Sequence, residues 1–495
     1  MKTIFTFFFV LVYLIIPAQI INIPDANFKA YLIGNSLINI NGDGEIQVSE
    51  AESFNGEIDC ISKEITDLTG IEKFVNLKSL ILIANQITNL DVSRNINLTK
   101  LDCSFNKLKS LDVSKNLMLK ELNCYINEID ALDISKNTEL QFLNCQINKL
   151  KTIDISKNLK LESIEVYNNA LTALNTSQNI NLNSIAFFGN QLTQIDLSEN
   201  LNLLNLECSA NRILNLDVKK NRLLTYLTCT GNGLTTLDVS KNLELKYLNC
   251  AINDFTGLDL SKNTKLEIFD CQSNHITNID LSNNLLLNWL NISSNKFTSI
   301  DLSKHLNLEG FYCGENQFVN IDVSKNINLK EFWCFINQLT TLDLSKNQKL
   351  ENLYCDKNNL SSLNLKNGKN YQISVPGAYN SINNPNLKCI QVDDPSYSYA
   401  NWPDKDSWAT YSTDCSLGVN DSKKSALQIY PNPAKEKFII STNGKIENVE
   451  IYSQTGQLLK TVKSKEVNIF NLNKGTYIVK IKTDKDTFTQ KIIKE

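Results

Sequence analysis

The sequence predicts an elongated solenoid of stacked turns between a helical amino-terminal segment and a small antiparallel β-sandwich. A leucine recurs every 21 residues from Leu77 to Leu350, without one insertion. An asparagine recurs at the same period from Asn85 to Asn358. Residues 427–495 change to short runs that alternate apolar and polar side chains. The unbroken period indicates a repeat fold, and the change of pattern indicates a separate domain.

The composition and charge of the chain argue against some classes of partner. The 495 residues are enough for several domains with an ample core. The formal net charge is −4, so there is no basic excess to follow the phosphates of a nucleic acid. The same charge gives no reason to expect an anionic membrane surface as partner. We therefore expect no nucleic-acid partner. We also expect the protein to be a monomer.

The first 18 residues have the pattern of a secretory signal peptide. One lysine precedes an apolar run from Ile4 to Ile16, which is too short to span a bilayer comfortably. Ala18 is a suitable last residue before cleavage, although Ile16 at the −3 position is bulky. The alternative is a retained apolar anchor. We expect residues 1–18 to be removed during export, and no later stretch is apolar and long enough for a transmembrane helix.

Residues 19–57 are the predicted amino-terminal cap of the solenoid, in which Asp25 can cap a short helix. The segment 39–50 that follows resembles an EF-hand or dockerin-like calcium loop. Gly44 falls at the sixth loop position, where the sharp turn requires glycine. The resemblance implies ligands at loop positions one, three, five, seven (through the carbonyl oxygen) and twelve, which are Asn39, Asn41, Asp43, Glu45 and Glu50.

Calcium bound in this loop would be held weakly. Only Asp43 and Glu50 bring carboxylates to side-chain ligand positions, and fewer charged ligands mean lower affinity. The alternative is a plain Asn-Gly-Asp-Gly turn in front of a helix that begins near Ser49. In either case the loop would support the cap, and no cofactor is required for chemistry.

A unit of 21 residues builds the predicted solenoid over residues 58–370. It reads L-x-x-L-x-C-x-x-N-x-L-x-x-L-D-V-S-K-N-x-x, and its first half alternates as a short strand does. One turn cannot bury its own leucines, so turns stack and share a continuous core. A degenerate first turn contains Cys60, and fourteen full repeats follow it. Their first leucines are Leu77, Leu98, Leu119, Leu140, Leu161, Leu182, Leu203, Leu224, Leu245, Leu266, Leu287, Leu308, Leu329 and Leu350.

This unit resembles the leucine-rich repeat of bacterial, internalin-like surface proteins. The resemblance covers most of the chain and implies a parallel β-sheet on the concave face of the solenoid. The recurring asparagine turns the chain inward, where its amide can bond backbone groups that the turn would otherwise bury unpaired. The second half of the unit repeats the pattern of the first and gives the opposite wall its own apolar column.

Cysteine occupies one core position in turn after turn. Other turns hold Leu82, Val166, Phe187 or Ile292 there, so the position accepts hydrophobic side chains of several sizes. We expect cysteine to act as a small hydrophobe and to remain a buried thiol that is not activated for catalysis. The alternative is disulfides between neighbouring turns, for which side chains pointing the same way are badly placed. This cysteine column contains Cys60, Cys103, Cys124, Cys145, Cys208, Cys229, Cys250, Cys271, Cys313, Cys334 and Cys355.

Residues 371–415 follow the last repeat and are predicted to cap the apolar end of the stack. Cys389 and Cys415 bracket much of this segment. We expect a disulfide between them, since free exposed thiols are uncommon in secreted proteins. The alternative is that both remain free.

After a polar linker, 416–426, short alternating runs predict a small antiparallel sandwich over 427–495. VEIYSQTGQLL at 449–459, LNKGTYIVKI at 472–481 and the terminal KIIKE resemble the type A sorting domain of the type IX secretion system of Bacteroidetes. The resemblance implies transport across the outer membrane, followed by anchoring or release. The alternative is a generic immunoglobulin-like binding module. The sorting motif consists of Tyr430, Pro431, Asn432 and Pro433.

Large aromatic side chains recur at positions of the predicted sheet that should face solvent. Solvent-facing aromatics in neighbouring columns indicate an interaction surface, although they can also simply shield a sheet. The predicted ligand-binding residues are Tyr247, Trp289, Tyr312, Trp333, Phe335 and Tyr354. Further aromatics at such positions are Tyr125, Phe142, Tyr167, Phe188 and Tyr226.

The sequence argues against an enzyme. The wall opposite the sheet carries Asp-x-Ser-Lys in many turns, which predicts a solvated face of mixed charge. The two histidines, His275 and His305, stand at different positions of the repeat with no evident Ser or Cys partner. Phosphate-binding loops and zinc spacings are not found in the sequence.

Two classes of function stay open at this point. The first is an exported protein that binds a protein or glycan ligand through the concave sheet, in adhesion for example. The second is a structural component of a surface coat without a specific ligand. The clustering of aromatic side chains favours the first class.

Overall fold

In the computed structural model, the described residues are 19–415, 427–442, 445–454, 456–484 and 487–495. The predicted signal peptide and linker, 1–18 and 416–426, lie outside these residues. Contacts divide the chain into two units, one that ends at Thr413 and one that begins at Asp414. The first unit contains the solenoid with its caps, and the second contains the β-sandwich.

Two short helices, α1 (Ala26–Gly34) and α2 (Val48–Ser53), form the amino-terminal cap. The Asp25 carboxylate caps α1 by accepting the backbone N–H groups of Asn27 and Phe28, each at 3.0 Å. Helix α1 buries Phe28 and Leu32 in the core. The predicted helix cap at Asp25 is therefore confirmed, and the two helices cover the first end of the stack.

The solenoid is built from strands of two or three residues. Two single-turn 3₁₀ helices, Ile71–Lys73 and Asn370–Gln372, lie between them. The strands of the first unit are β1 (Glu57–Asp59), β2 (Ser79–Ile81), β3 (Lys100–Asp102), β4 (Glu121–Asn123), β5 (Phe142–Asn144), β6 (Ser163–Glu165), β7 (Ser184–Ala186), β8 (Asn205–Glu207), β9 (Tyr226–Thr228), β10 (Tyr247–Asn249), β11 (Ile268–Asp270), β12 (Trp289–Asn291), β13 (Gly310–Tyr312), β14 (Glu331–Trp333), β15 (Thr341–Asp343), β16 (Asn352–Tyr354), β17 (Ser362–Asn364), β18 (Tyr379–Asn380), β19 (Cys389–Gln391) and β20 (Thr410–Ser412).

Sixteen of these strands form one parallel sheet, which we call the main sheet. Strands β1 to β14, then β16 and β18, follow one another in chain order. The register is constant from turn to turn, so that Tyr226 pairs with Tyr247 and Leu227 with Leu248. In the three-residue strands of this sheet the middle side chain is buried. The predicted parallel sheet of a leucine-rich repeat solenoid is confirmed.

One asparagine of each turn, in what we call the first ladder, bonds its own turn to the preceding one. The Asn253 Nδ2 donates to the carbonyl oxygens of Cys229, Cys250 and Ala251 at 3.0 to 3.1 Å. Its Oδ1 accepts the backbone N–H of Leu234 at 2.9 Å. Both ends of the amide are therefore used. The first ladder consists of Asn85, Asn106, Asn127, Asn148, Asn169, Asn190, Asn211, Asn232, Asn253, Asn274, Asn295, Asn316, Asn337 and Asn358.

A second ladder lies where the chain returns from the opposite wall. The Asn242 Nδ2 donates to the carbonyl oxygens of Val218 and Asn221 at 2.9 and 2.8 Å. Its buried Oδ1 has no partner among the described residues. His305 takes one place in this ladder and bonds the Leu281 carbonyl through Nε2 at 3.2 Å. The other members are Asn95, Asn116, Asn137, Asn158, Asn179, Asn200, Asn221, Asn242, Asn263, Asn284, Asn326 and Asn347.

The cysteine column lies inside this stack as free thiols. All eleven side chains are buried and 0% exposed. Burial raises the pKa of Cys124 and Cys229 to about 12, so these thiols are protonated at neutral pH and poor nucleophiles. The prediction that the column is a hydrophobic core feature is confirmed.

The carboxyl-terminal cap continues the stack before it closes it. Strand β18 extends the main sheet, while β19 and β20 extend a second parallel sheet with the order β15-β17-β19-β20. Helix α3 (Pro395–Asn401) then leads to Trp402, which is 1% exposed and stacks on Tyr379 with ring centroids 4.9 Å apart. The predicted disulfide joins Cys389 and Cys415. The 21-residue period of the sequence ends near residue 370, but the stack of turns continues beyond it. The last turns still bury apolar residues, although these residues no longer follow the regular spacing.

The second unit is the predicted antiparallel sandwich. One sheet has the order β21-β22-β25 and the other the order β24-β23-β26-β27. Phe438, Val449 and Val479 are among the side chains buried between them. The strands are β21 (Leu427–Tyr430), β22 (Lys437–Thr442), β23 (Ile446–Tyr452), β24 (Leu458–Val462), β25 (Glu466–Asn468), β26 (Gly475–Thr483) and β27 (Thr487–Lys494).

Candidate functional site

The outer face of the main sheet carries the side chains on either side of each buried middle residue. Because the register is constant, equivalent side chains of neighbouring turns lie next to each other. Tyr226 and Tyr247 stack with ring centroids 4.4 Å apart. Tyr167 and Phe188 stack at 4.1 Å. The structure therefore brings many of the predicted aromatic side chains together in pairs.

Four aromatic side chains form a continuous series, which we call the aromatic row: Trp289, Tyr312, Trp333 and Tyr354. Successive ring centroids are 4.7, 4.7 and 5.2 Å apart. The last two contacts are edge to face, a favourable arrangement for aromatic rings. Tyr247 lies apart from the row, since Ile268 occupies the strand between it and Trp289.

The rings of the row are less exposed than the sequence predicts. Tyr312 is only 5% exposed, so the prediction that it faces solvent is wrong. Trp289, Trp333 and Tyr354 are half-buried. The reason is the short distance between strands, because a large ring on one turn covers the ring on the next. The row therefore offers edges and parts of faces to a ligand.

Two glycines make room for the aromatic rings beside them. A Cβ added at Gly310 would lie 2.6 Å from the Trp289 ring, and one at Gly314 would lie 2.7 Å from the Phe335 ring. Both rings therefore lie against bare backbone, which only glycine allows. The sequence analysis did not identify these glycines. The signal that could have identified them is a glycine at an outward position, 21 residues before or after an aromatic residue.

Hydrogen bonds fix the tyrosine hydroxyl groups of the row. The Tyr312 hydroxyl donates to the Glu331 carboxylate at 2.5 Å, and the Tyr354 hydroxyl donates to the Gly377 carbonyl at 2.6 Å. Burial, together with the Glu331 charge, holds the pKa of Tyr312 far above its usual range. The buried Trp333 Nε1 has no partner among the described residues. The row is therefore a fixed surface whose tyrosine hydroxyl groups are already bonded.

Half-buried carboxylates on the same face were also missed. Burial raises the pKa of Glu165, Glu207 and Asp270. Other carboxylates of this face are paired, such as Glu121 with Lys100 at 3.1 Å. Single carboxylates at irregular intervals give no periodic signal in the sequence, which is why they were not predicted.

The predicted calcium loop is held by its own hydrogen bonds. Asn39 donates to the Asp43 carbonyl at 2.7 Å, and Asp43 accepts the N–H of Glu45 at 2.8 Å. Glu50 accepts the N–H groups of Asn41 and of Gln47, the residue before helix α2, at 3.1 and 3.0 Å. These contacts are those of the turn-and-cap alternative, and calcium binding stays a prediction.

Within the second unit, Asn432 of the sorting motif ties the start of the sandwich to its last strand. Its Nδ2 donates to the Lys491 carbonyl at 2.9 Å, and its Oδ1 accepts the N–H of Ile493 at 2.8 Å. Ala434 adds a backbone bond to Ile493 at 2.8 Å. The motif is therefore a structural element of the sandwich.

The comparison with protein families agrees with this description. Residues 428–495 match the secretion system C-terminal sorting domain. This domain directs the chain through the type IX system to the cell surface or outer membrane. No curated protein matches the chain in sequence.

Solved structures are similar to the solenoid. The functional domain of InlJ from Listeria monocytogenes, which includes a cysteine ladder, is 26% identical with a TM-score of 0.68, over 97% of this chain and 99% of that one. The leucine-rich repeat protein LIC12759 of Leptospira interrogans is 20% identical with a TM-score of 0.60, over 74% of this chain and 97% of that one. The plant peptide hormone receptor RGFR1, in complex with RGF2, is 19% identical with a TM-score of 0.54, over 68% and 61%.

The last two likenesses, below 25% identity, show the fold alone. Among the described residues, no helix has the length and apolar character needed to cross a bilayer. The 21-residue turns, the cysteine column and the likeness to InlJ agree for the first unit, and the sorting-domain match covers nearly all of the second. The chain is therefore a leucine-rich repeat solenoid with internalin-like structural neighbours, followed by a type IX secretion sorting domain at residues 428–495.

Proposed function

We propose that this chain is an exported recognition protein that binds a protein or glycan ligand on the outer face of the main sheet, and that it is not an enzyme. The observation that carries the proposal is the aromatic row. Its rings contact one another and its two tyrosine hydroxyls are bonded, so the rings are held in place. Fixed aromatic side chains contribute large contact areas at low entropic cost, and they are enriched at binding hot spots.

The neighbouring side chains extend this surface. Phe335 lies against Gly314 beside the row, and Tyr247 stacks on Tyr226 farther along the sheet. Leucine-rich repeat receptors provide a precedent, since RGFR1 was solved with RGF2 bound. We assign binding at this surface to the mature protein after its export.

The test is a binding screen of the full chain against glycan arrays and cell-surface protein extracts, with and without calcium. We expect saturable binding that is lost in a Trp333→Ala, Tyr354→Ala double variant. Phe142→Ala is the matched control, because Phe142 is 44% exposed on the same face and lies outside the row. Equal loss in the control, or unchanged binding in the double variant, contradicts the proposal.

A structural coat protein is the second candidate, and one observation favours it. A ladder of leucine and isoleucine side chains, each 46 to 57% exposed, follows the second asparagine ladder. Such a ladder could pack against neighbouring molecules in a coat. A negative screen with folded protein, followed by a changed surface in a deletion strain, would favour this candidate. The ladder consists of Ile96, Leu117, Leu159, Ile180, Leu201, Leu243, Leu285, Leu306 and Ile327.

A further inference from the structure

One sheet of the second unit carries a row of apolar side chains on its outer face. In the sheet with the order β24-β23-β26-β27, Leu458 is aligned with Tyr452, and Tyr452 is aligned with Ile478. These residues lie on three successive strands, so the row is about 10 Å long. Ile493 of β27 is aligned with Thr476, two residues before Ile478, and so lies diagonally beside Ile478. We call Leu458, Tyr452, Ile478 and Ile493 the apolar row.

The burial of neighbouring residues places the apolar row on the solvent side of the sheet. On β26, Tyr477 and Val479 are buried in the core of the sandwich, whereas Ile478 between them is 39% exposed. On β27, Ile492 is buried and Ile493 is 42% exposed. Because successive side chains of a strand point to opposite faces, the exposed residues belong to the outer face.

The apolar row gathers exposed apolar surface that the sandwich does not use for its own core. Six large apolar side chains are exposed among the described residues of the second unit, and three of them belong to the row. Leu458 is 50% exposed on an edge strand, where natural proteins commonly place charged side chains to prevent association. A single exposed leucine is ordinary, but several neighbours on one sheet face indicate a contact surface. The six are Tyr430, Leu458, Leu459, Phe470, Ile478 and Ile493.

Lysine side chains border the apolar row on the same face. Lys480 follows Ile478 by two residues on β26, and Lys491 of β27 is aligned with Ile478. Glu450, which is aligned with Lys480 on β23, already accepts the Tyr452 hydroxyl at 2.7 Å. A face of this kind is complementary to a protein surface that is apolar at its centre and acidic at its edge.

The charge of the sorting domain is opposite to that of the rest of the chain. Residues 427–495 contain twelve lysines and seven acidic residues, which gives a formal charge of +5. The whole chain has a net charge of −4, so residues 1–426 together carry −9. A basic domain at the end of an acidic chain favours an acidic partner for that domain.

We propose that the apolar row and its bordering lysines are the surface by which the secretion machinery holds the second unit, through an acidic and partly apolar protein surface. A domain that directs a chain through a secretion system must be contacted by that system, and residues 428–495 match such a domain. The sorting motif is less suited to this contact, because Asn432 is engaged in bonds to Lys491 and Ile493. The inference does not depend on ligand binding at the main sheet.

The test follows export of the full chain in the bacterium that makes it, as the fraction of the protein that reaches the cell surface or the medium. The Leu458→Thr, Ile478→Thr, Ile493→Thr triple variant keeps side chains that suit strands but removes the apolar surface. We expect its exported fraction to fall about tenfold. Phe470→Thr is the matched control, because Phe470 is 63% exposed and lies outside the row. Normal export of the triple variant, or an equal loss in the control, overturns the proposal.

A charge reversal tests the lysines without changing the apolar row. Lys480→Glu, Lys491→Glu should reduce export, because it places like charges against an acidic partner. Lys435→Glu, Lys474→Glu changes the charge of the unit equally at positions outside the four strands of this sheet, and it should be exported normally. All four lysines are exposed, so this comparison decides the question if thermal unfolding shows that the triple variant is less stable. Equal export of the two charge variants overturns the proposal.

Two other occupants of the apolar row would give different results. If the row joins two copies of the chain, sedimentation shows a dimer that the triple variant turns into a monomer, while export stays normal. If the row lies on lipid, the full chain binds vesicles of phosphatidylglycerol, the triple variant does not, and export again stays normal. Either result overturns the proposal. Loss of the recognition proposal at Trp333 and Tyr354 would leave this inference standing, since export is measured without any ligand.

Discussion

The two asparagine ladders occupy equivalent places in the turn but use their amides differently. In the first ladder both Nδ2 and Oδ1 are bonded, as at Asn253. In the second ladder Nδ2 is bonded, while Oδ1 has no described partner except at Asn200, where Thr176 donates to it at 2.7 Å. Histidine replaces asparagine only in the second ladder, at His305. Only asparagine is found in the first ladder, where the side chain must both donate and accept hydrogen bonds. In the second ladder the side chain mainly has to donate, so the N–H of a histidine ring can replace the amide.

The ladders also differ in backbone conformation. The residue before each first-ladder asparagine has a φ between +48° and +66°, in the left-handed region. It is isoleucine at Ile126, Ile147, Ile252 and Ile336. Among the described residues, no position before a second-ladder side chain has a positive φ. The first ladder therefore holds a strained turn in place, and the second does not.

The largest effect is expected from Asn253→Ala in the first ladder. The change removes one donor from three carbonyl oxygens that each keep another donor, and it leaves the backbone N–H groups of Gly233 and Leu234 without their acceptor. The loss should cost about 3 kcal/mol. Denaturant unfolding of the variant and the wild type measures the difference. A loss below about 1 kcal/mol would show that water or a shifted backbone replaces the amide.

Asn242→Ala in the second ladder should cost less, about 1 to 2 kcal/mol, because only the carbonyls of Val218 and Asn221 lose a donor. Asn242→His should be milder than the alanine change, since His305 already fills such a place. Both variants are compared with Asn253→Ala in the same unfolding experiment. Equal losses in the two ladders would contradict the distinction between them.

Ile252→Gly should stabilise the protein by about 1 kcal/mol. Ile252 has a φ of 53° and is 58% exposed, so glycine relieves strain and removes little packing. Lys241→Gly is the matched control before the second-ladder Asn242, where the ordinary φ gives glycine no advantage. That control should lose roughly 0.5 to 1 kcal/mol. A loss in both variants would mean that the left-handed turn stores no strain.

The smallest effect is a pH dependence at His305. Burial lowers its pKa, so below the unfolded value of about 6.5 the unfolded chain takes up a proton that the folded chain resists. Stability from this group is present above that pH and falls as the pH drops below it. Unfolding of wild type and His305→Asn at pH 8 and pH 5.5 isolates the contribution. Identical pH profiles would show that protonation of His305 is no less favourable in the folded chain than in the unfolded chain.

Periodicity predicts the parts of this molecule that repeat. The 21-residue spacing fixes the register, the buried cysteine column and the role of Asn253 and its equivalents, because each depends on contacts between identical turns. The extra strands after residue 370 were not predicted, since irregular spacing hides the apolar residues that continue the stack. Cys389 and Cys415 could still be paired from their placement in an exported chain.

The candidate site was predicted less completely than the fold. The repeat shows which face a side chain is on, and so it identified Trp333 and Tyr354 as neighbours. It does not show how far one ring covers another, and so the burial of Tyr312 was missed. The half-buried Glu165 and Glu207 were missed because carboxylates at irregular intervals give no periodic signal in the sequence.

Because the register is the same at every turn, the solenoid can gain or lose complete turns. Neighbouring turns bond through the same atoms, as Asn242 and Asn263 do with carbonyl oxygens 24 and 21 residues earlier. Recombination between the DNA sequences of two repeats would therefore add or remove one turn without leaving a mismatched joint. An event between Tyr247 and Trp289 would move the stacked Tyr226 and Tyr247 pair relative to the aromatic row by one strand spacing, about 4.8 Å. Gene duplication could in this way vary the distance between two parts of the proposed binding surface while leaving each of them intact.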